Sequence, residues 1–153
     1  MMYSTTLLIH SWLRWAVLIT GLIVVLRALT RSNRPWTPSD ENAAKLFTIT
    51  LDIQMLAGLL LYFVLSPLTR AAFSDFGGAM SVSGLRFWAV EHTFGMVVAI
   101  ALAHIGLKRV RKAPNDRRRH RTAAIFFGLA LLAILVSIPW PGMPNARPLF
   151  RMF

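Results

Sequence analysis

The sequence predicts an all-α fold, a bundle of four transmembrane helices with both termini on the outer, periplasmic side. Three observations carry that expectation. Of 153 residues, 56% are hydrophobic and 15% charged, against roughly 25% charged in soluble domains, and the mean hydropathy is +0.55. Four apolar runs of about 20 residues, the length that crosses hydrocarbon, fall at roughly 6–29, 46–65, 87–107 and 122–138. The basic residues are also segregated. Arg27, Arg31, Arg34 and Lys45 lie between the first and second runs. Lys108, Arg109, Arg111, Lys112, Arg117, Arg118, Arg119 and Arg121 lie between the third and fourth. Those twelve of the 17 basic residues share one side, with Arg70, Arg86, Arg147 and Arg151 on the other and Arg14 within a helix. The positive-inside rule puts the twelve in the cytoplasm. A multi-pass protein of the bacterial inner membrane is the expected setting, as one domain over 1–153 with no second, soluble one.

Each element has sequence support in turn. The first run has no basic residue before it, exceeds a signal-peptide core in length and lacks a small-x-small pattern before Arg27, so it reads as a retained helix. Ser66-Pro67 closes the second, because the residue before proline disfavours helical geometry. Residues 66–86, with Gly77-Gly78 and Gly84, form an outer loop in which a short interfacial helix is expected around 71–76. Pro139 and Pro141 stop the fourth helix. Trp12, Trp15, Trp88 and Trp140 mark outer helix ends, where indoles settle at headgroup level, and Trp36 falls in the first inner loop.

The net charge of +11 does not point to nucleic acid. The basic clusters flank membrane spans without aromatic interleaving, and such clusters set topology and attract anionic lipid headgroups. With no cysteine in the chain, disulfides, iron–sulfur ligation and thioether-attached haem are excluded.

Chemistry is expected at two histidines. His10 is about four residues into the first helix and His92 about five into the third. Both helices run from outside to inside, so at 1.5 Å per residue the two lie within a few ångströms of one depth. An imidazole in hydrocarbon costs free energy unless something binds it, which marks a functional site. The face of His10 continues through Arg14, Val17, Gly21 and Val24 or Val25. That of His92 continues through Gly95 or Met96, Ala99, Ala103 and Gly106. Small residues on such stripes allow close packing. A six-coordinate iron accepts one nitrogen above and one below the ring, and on helices facing each other in a bundle two imidazoles suit the axial positions of a haem. Structural zinc wants four ligands that this depth does not offer, whereas copper stays open because Met96 lies one turn from His92. Arg86, Arg70 and the deeper Arg14 are candidates for the haem propionates. In a second arrangement Glu91 pairs with Arg14.

A second polar level is expected nearer the cytoplasm, with Asp52 and Gln54 on the second helix and His104 on the third. His104 is 12 residues from His92, about 120° round the helix, so it does not extend the His92 face. Asp52, His104 and Glu91 are candidates for a proton relay, with headgroup snorkelling as the simpler role for the first two. His120, among the arginines of the second inner loop, is expected to be solvated.

The elements Leu7-x-x-His10-Ser11-Trp12-Leu13-Arg14-Trp15, the run from Asp52-Ile53-Gln54 to Tyr62-Phe63, Leu85-Arg86-Phe87-Trp88-Ala89-Val90-Glu91-His92, Arg121 to Gly128 and Ile138-Pro139-Trp140-Pro141 resemble small four-helix bacterial membrane proteins labelled cytochrome b. The resemblance spans nearly the whole chain. It implies one b-type haem on His10 and His92 and electron transfer linked to membrane quinols and other respiratory subunits. This chain has Asp52 where relatives often have histidine. The alternative expectation is a cofactor-free membrane subunit, transporter-like or assembly-like, in which His10, Arg14, Glu91 and His92 form a buried polar network that sets helix packing.

Overall fold

The computed structural model of the chain describes residues 1–143 and 145–150, so the expected outer position of Arg151 lies outside the described residues. Every regular element among the described residues is helical. Four helices are long and apolar enough to cross a membrane: α1 (Met2–Thr30), α2 (Pro38–Leu65), α5 (Ser83–Lys112) and α6 (Asp116–Ser137). Two short helices, α3 (Pro67–Ser74) and α4 (Phe76–Ser81), link α2 to α5.

The long helices outrun the apolar segments because their polar flanks carry helix signals of their own. Thr37 and Asp40 form a capping box at the start of α2, with Pro38 in the first turn where its missing N–H costs nothing. The Asn115 side chain accepts the Arg118 N–H at 2.9 Å and starts α6 at Asp116, six residues before the apolar run. The expected basic loop between the third and fourth spans is therefore mostly helix, and only residues 113–115 connect α5 to α6. The expected interfacial helix at 71–76 is replaced by α3 and α4, which meet at Asp75. The Asp75 carboxylate accepts the Gly78 N–H at 2.9 Å and caps α4.

α1 packs on α2 and α6, and α5 packs on α6 and α2. Round the bundle the order is α1, α2, α5, α6, which puts α1 and α5 at opposite corners. The two histidine helices thus face each other across the core, the arrangement that supplies one ring from each side. Their buried stripes follow the expected faces, Val17, Gly21, Val24 and Ala28 on α1 and Ala99, Ala103, Gly106 and Val110 on α5. Phe47 of α2 and Phe127 of α6 meet edge to face at 5.8 Å in the middle. A Cβ on Gly21 would lie 2.9 Å from Phe47 Cε2, so the glycine admits that ring. Large apolar side chains such as Leu22, Ile49, Leu56, Phe94, Leu132 and Val136 point outward, where a bilayer solvates them.

At the basic end, Asp40 is 2% exposed. It takes Arg27 at 2.8 Å and Arg31 at 3.5 Å from α1, while Arg111 of α5 bonds Glu41 of α2 at 2.9 Å. His120 does not behave as expected. It is fully buried, 4.9 Å edge-on from Trp36. Because α6 begins at Asp116, His120 falls on the buried face with Ala123, Phe127, Ala130 and Ile134 rather than in a solvated loop.

Candidate functional site

The opposite end of the bundle positions the two histidines. α5 departs from α-geometry immediately before His92, with a π turn at Phe87–Glu91. α2 ends in another π turn at Leu61–Leu65. π turns free backbone groups and recur at functional sites. Here the Ala89 carbonyl accepts the Tyr62 hydroxyl at 2.7 Å, tying the two irregular turns together.

The imidazoles of His10 and His92 meet across the bundle with ring centroids 6.4 Å apart and planes at 74°. Each is oriented by one hydrogen bond and keeps one nitrogen unused. His92 Nδ1 donates to the Ser137 carbonyl at 2.8 Å, which fixes the ring as second-sphere bonds do for metal-binding histidines and leaves Nε2 over. Gly95 lets α5 close on α6 for that contact, since a Cβ there would overlap the Ser137 side chain. The Gln54 amide donates to the His10 carbonyl at 3.0 Å and to His10 Nε2 at 3.3 Å. His10 Nδ1 is then buried without a partner, as is Gln54 Oε1. Unpaired buried polar atoms cost on the order of 1–3 kcal/mol each. Gly58, one turn beyond Gln54, makes room for the ring: a Cβ there would lie 3.2 Å from His10 Cε1.

Two cavities flank the pair. One of about 100 Å³ lies toward α2, α3 and Tyr3. The other, about 60 Å³, lies toward α6 and the segment after it. They share a wall that includes Leu7, Leu51, Trp88 and Met96 along with both histidines. The tail after α6 folds over this end. Arg14 and the Trp15 indole both donate to the Leu149 carbonyl, at 2.6 and 3.1 Å. Phe150 stacks on Trp15 at 5.2 Å. Arg147 lies over the Trp88 ring at 5.2 Å and lines both cavities.

The structure sorts the expected site residues. His10, His92, Arg14 and Met96 come together. Gln54 joins them, not the second polar level where it was expected. Arg86 bonds Glu91 at 2.7 Å and the Met80 carbonyl at 3.1 Å, lining neither cavity. Arg70 bonds the Val64 carbonyl. The alternative Glu91–Arg14 pair does not form, because Arg86, five residues before Glu91, reaches that carboxylate first. Asp52 and His104 do pair, Oδ1 to Nε2 at 2.8 Å, on the partly exposed seam between α2 and α5, and Glu91 is not with them. Sequence reasoning missed three contributors, Gln54 as the partner of His10, Ser137 and Arg147. The signal for Gln54 was its place on the Leu51–Gly58 face; nothing in the tail's sequence distinguished Arg147 from Arg151.

A bridging ion with imidazole bonds of about 2 Å on each side puts ring centroids about 6 Å apart, so the pair has the right separation for a six-coordinate ion. Among the described residues no three His, Asp or Glu side chains could hold a metal ion together. The cavities are smaller than the roughly 300–1,000 Å³ of most cofactor sites. A porphyrin between the rings needs side chains of the shared wall, Leu7, Leu51, Trp88 and Met96, to move aside, a movement easiest for the unbranched thioether chain of Met96.

Searches with family models, curated proteins and solved structures return no match to the chain. The fold and composition define a multi-pass helical membrane protein.

Proposed function

We propose that this protein binds one b-type haem between His10 and His92 and passes electrons between membrane quinols and an acceptor in the bacterial inner membrane. The observation that carries the reading is the imidazole pair itself: 6.4 Å apart across the bundle, the Nε2 lone pair of His92 unused, that of His10 held only by the Gln54 amide, which would have to release it for ligation, and a cavity on either side. The resemblance to small four-helix proteins labelled cytochrome b supports it. When bound, the haem supplies a one-electron iron couple and no bond-making chemistry.

The chain's own residues do the rest. Ser137 and Gln54 hold the two rings in place, so little reorganisation accompanies a change of charge between them. Leu7, Leu51, Trp88 and Met96 keep water from the pair. Quinol oxidation releases two protons and two electrons; the electrons would leave one at a time, one of the protons is assigned to the Asp52–His104 pair, exposed on its seam, and the other passes to water at the bilayer surface. Other respiratory subunits are the proposed electron partners.

The cofactor-free reading also has an observation in its favour. Each histidine already joins two helices, His10 to α2 through Gln54 and His92 to α6 through Ser137. An absorption spectrum decides between them. Protein from haem-replete cells should show sharp low-spin α and Soret bands on reduction, and His10→Ala or His92→Ala should abolish or convert them. A folded, colourless preparation sinks the haem reading and leaves the helix-joining one.

A further inference from the structure

The charges that line the cavities are all of one sign. Arg14 lines the smaller cavity and Arg147 lines both, while no Asp or Glu side chain lines either. Neither cation has a carboxylate partner among the described residues. Arg14 spends one Nη2 bond on the Leu149 carbonyl, and its Nε is buried without a partner. The Arg147 guanidinium rests on the Trp88 ring. The neighbouring arginines are all engaged, Arg86 by Glu91 and Arg70 by the Val64 carbonyl. Two guanidinium groups beside apolar walls at a membrane depth are costly unless an anion meets them. Their fork of donors matches a carboxylate two bonds at a time.

We propose that the two cavities together take an apolar ligand that ends in carboxylate, with the acid end held by Arg14 and Arg147 and covered by the tail at residues 147–150. The inference rests on reading the cavities as a ligand site, but not on iron. A porphyrin dicarboxylate and a fatty acid share this chemistry.

The tail makes the arrangement self-consistent. The Arg147 N–H bonds the Pro139 carbonyl at 3.1 Å, which brings Arg147 back beside the end of α6. Leu149 and Phe150 then pin the strap to Arg14 and Trp15. Both cations thus reach the ligand from one end, and the carboxylates point that way while the apolar rim points into the core.

The test uses the full chain in lipid nanodiscs, made in cells unable to synthesise haem. Quenching of tryptophan fluorescence reads the binding of metal-free protoporphyrin IX, of its dimethyl ester and of palmitate. The diacid should bind about tenfold more tightly than the diester, the worth of a charge-assisted contact. Arg147→Gln should reduce that preference to about threefold or less, and Arg147→Lys should restore part of it. Arg86→Gln, at an arginine that lines neither cavity and is engaged by Glu91, should leave the preference intact. Equal binding of diacid and diester by the unmodified protein, a measurement that needs no variant to fold, overturns the proposal. So does a preference that Arg147→Gln leaves unchanged. Arg147-dependent binding of palmitate without porphyrin binding supports the carboxylate site and removes the haem reading instead.

Discussion

Gly58 governs how closely α2 can approach His10, and it gives a test at the scale of one carbon atom. Alanine in a helix interior gains up to about 1 kcal/mol over glycine. At Gly58 the added Cβ meets His10 Cε1 at 3.2 Å, a contact tight enough to push the ring. That ring cannot simply swing away, because Gln54 holds both its Nε2 and its carbonyl. Gly58→Ala should therefore leave the melting temperature within a few degrees of the parent while lowering haem content or shifting the Soret band. Equal haem content with an unshifted band argues that His10 is not a ligand. At this scale the sequence was legible only in part. His10 and His92 stood out because imidazoles interrupt apolar runs. Gln54 and Ser137 did not, because a single polar residue on a helix says nothing about which neighbour it reaches. His120 misled for a different reason: flanking arginines suggested a loop, yet the residue lies three before Ala123 on the buried face of α6.

Between elements, the firmest polar tie is the Asp40 clasp. Its carboxylate accepts from the Thr37 N–H at 2.9 Å and the Thr37 hydroxyl at 2.6 Å, and it pairs with Arg27 and Arg31 of α1. Removing it deletes a helix cap worth about 1 kcal/mol. It also strands two cations whose side chains are about a third exposed. The roughly 3–5 kcal/mol typical of a broken buried pair must therefore be discounted for solvent. Asp40→Ala should cost about 2–3 kcal/mol in a reversible unfolding titration, and Asp40→Asn, which keeps an acceptor for Thr37, about half of that. Equal losses from the two substitutions would mean that charge, not capping, dominates. The existence of the four spans could be read from hydropathy alone. Their ends could not, because the polar flanks at 38–45 and 116–121 hold helix through capping rather than through burial. The π turns beside Leu61 and Phe87 were equally hidden, since no residue type announces a widened turn.

Across the whole molecule, the contacts of the tail with α1 put both ends of the described chain on one side of the bundle, with the twelve basic residues gathered at the other. That gradient sets a sidedness that hydropathy alone does not. Lys and Arg near span ends are retained on the cytoplasmic side at a cost of several kcal/mol for the inverted orientation. Asp40 and Glu41 neutralise only part of the cluster. The expected arrangement therefore has the connections at 31–37 and 113–115 in the cytoplasm, with the histidine pair, Arg14, Arg147 and α3–α4 toward the periplasm. A reporter active only outside the cytoplasm should work when fused after Phe153 and be silent when inserted at Pro114. Neutralising Arg117, Arg118, Arg119 and Arg121 together should weaken that preference before it destabilises the bundle, because those side chains sit at the end of α6 and not in its core. The reverse pattern in the parent protein would put the cavities near the cytoplasmic face. Electron donors and ligand carboxylates would then have to reach the site from the cell interior, and the Asp52–His104 pair would release its protons outward.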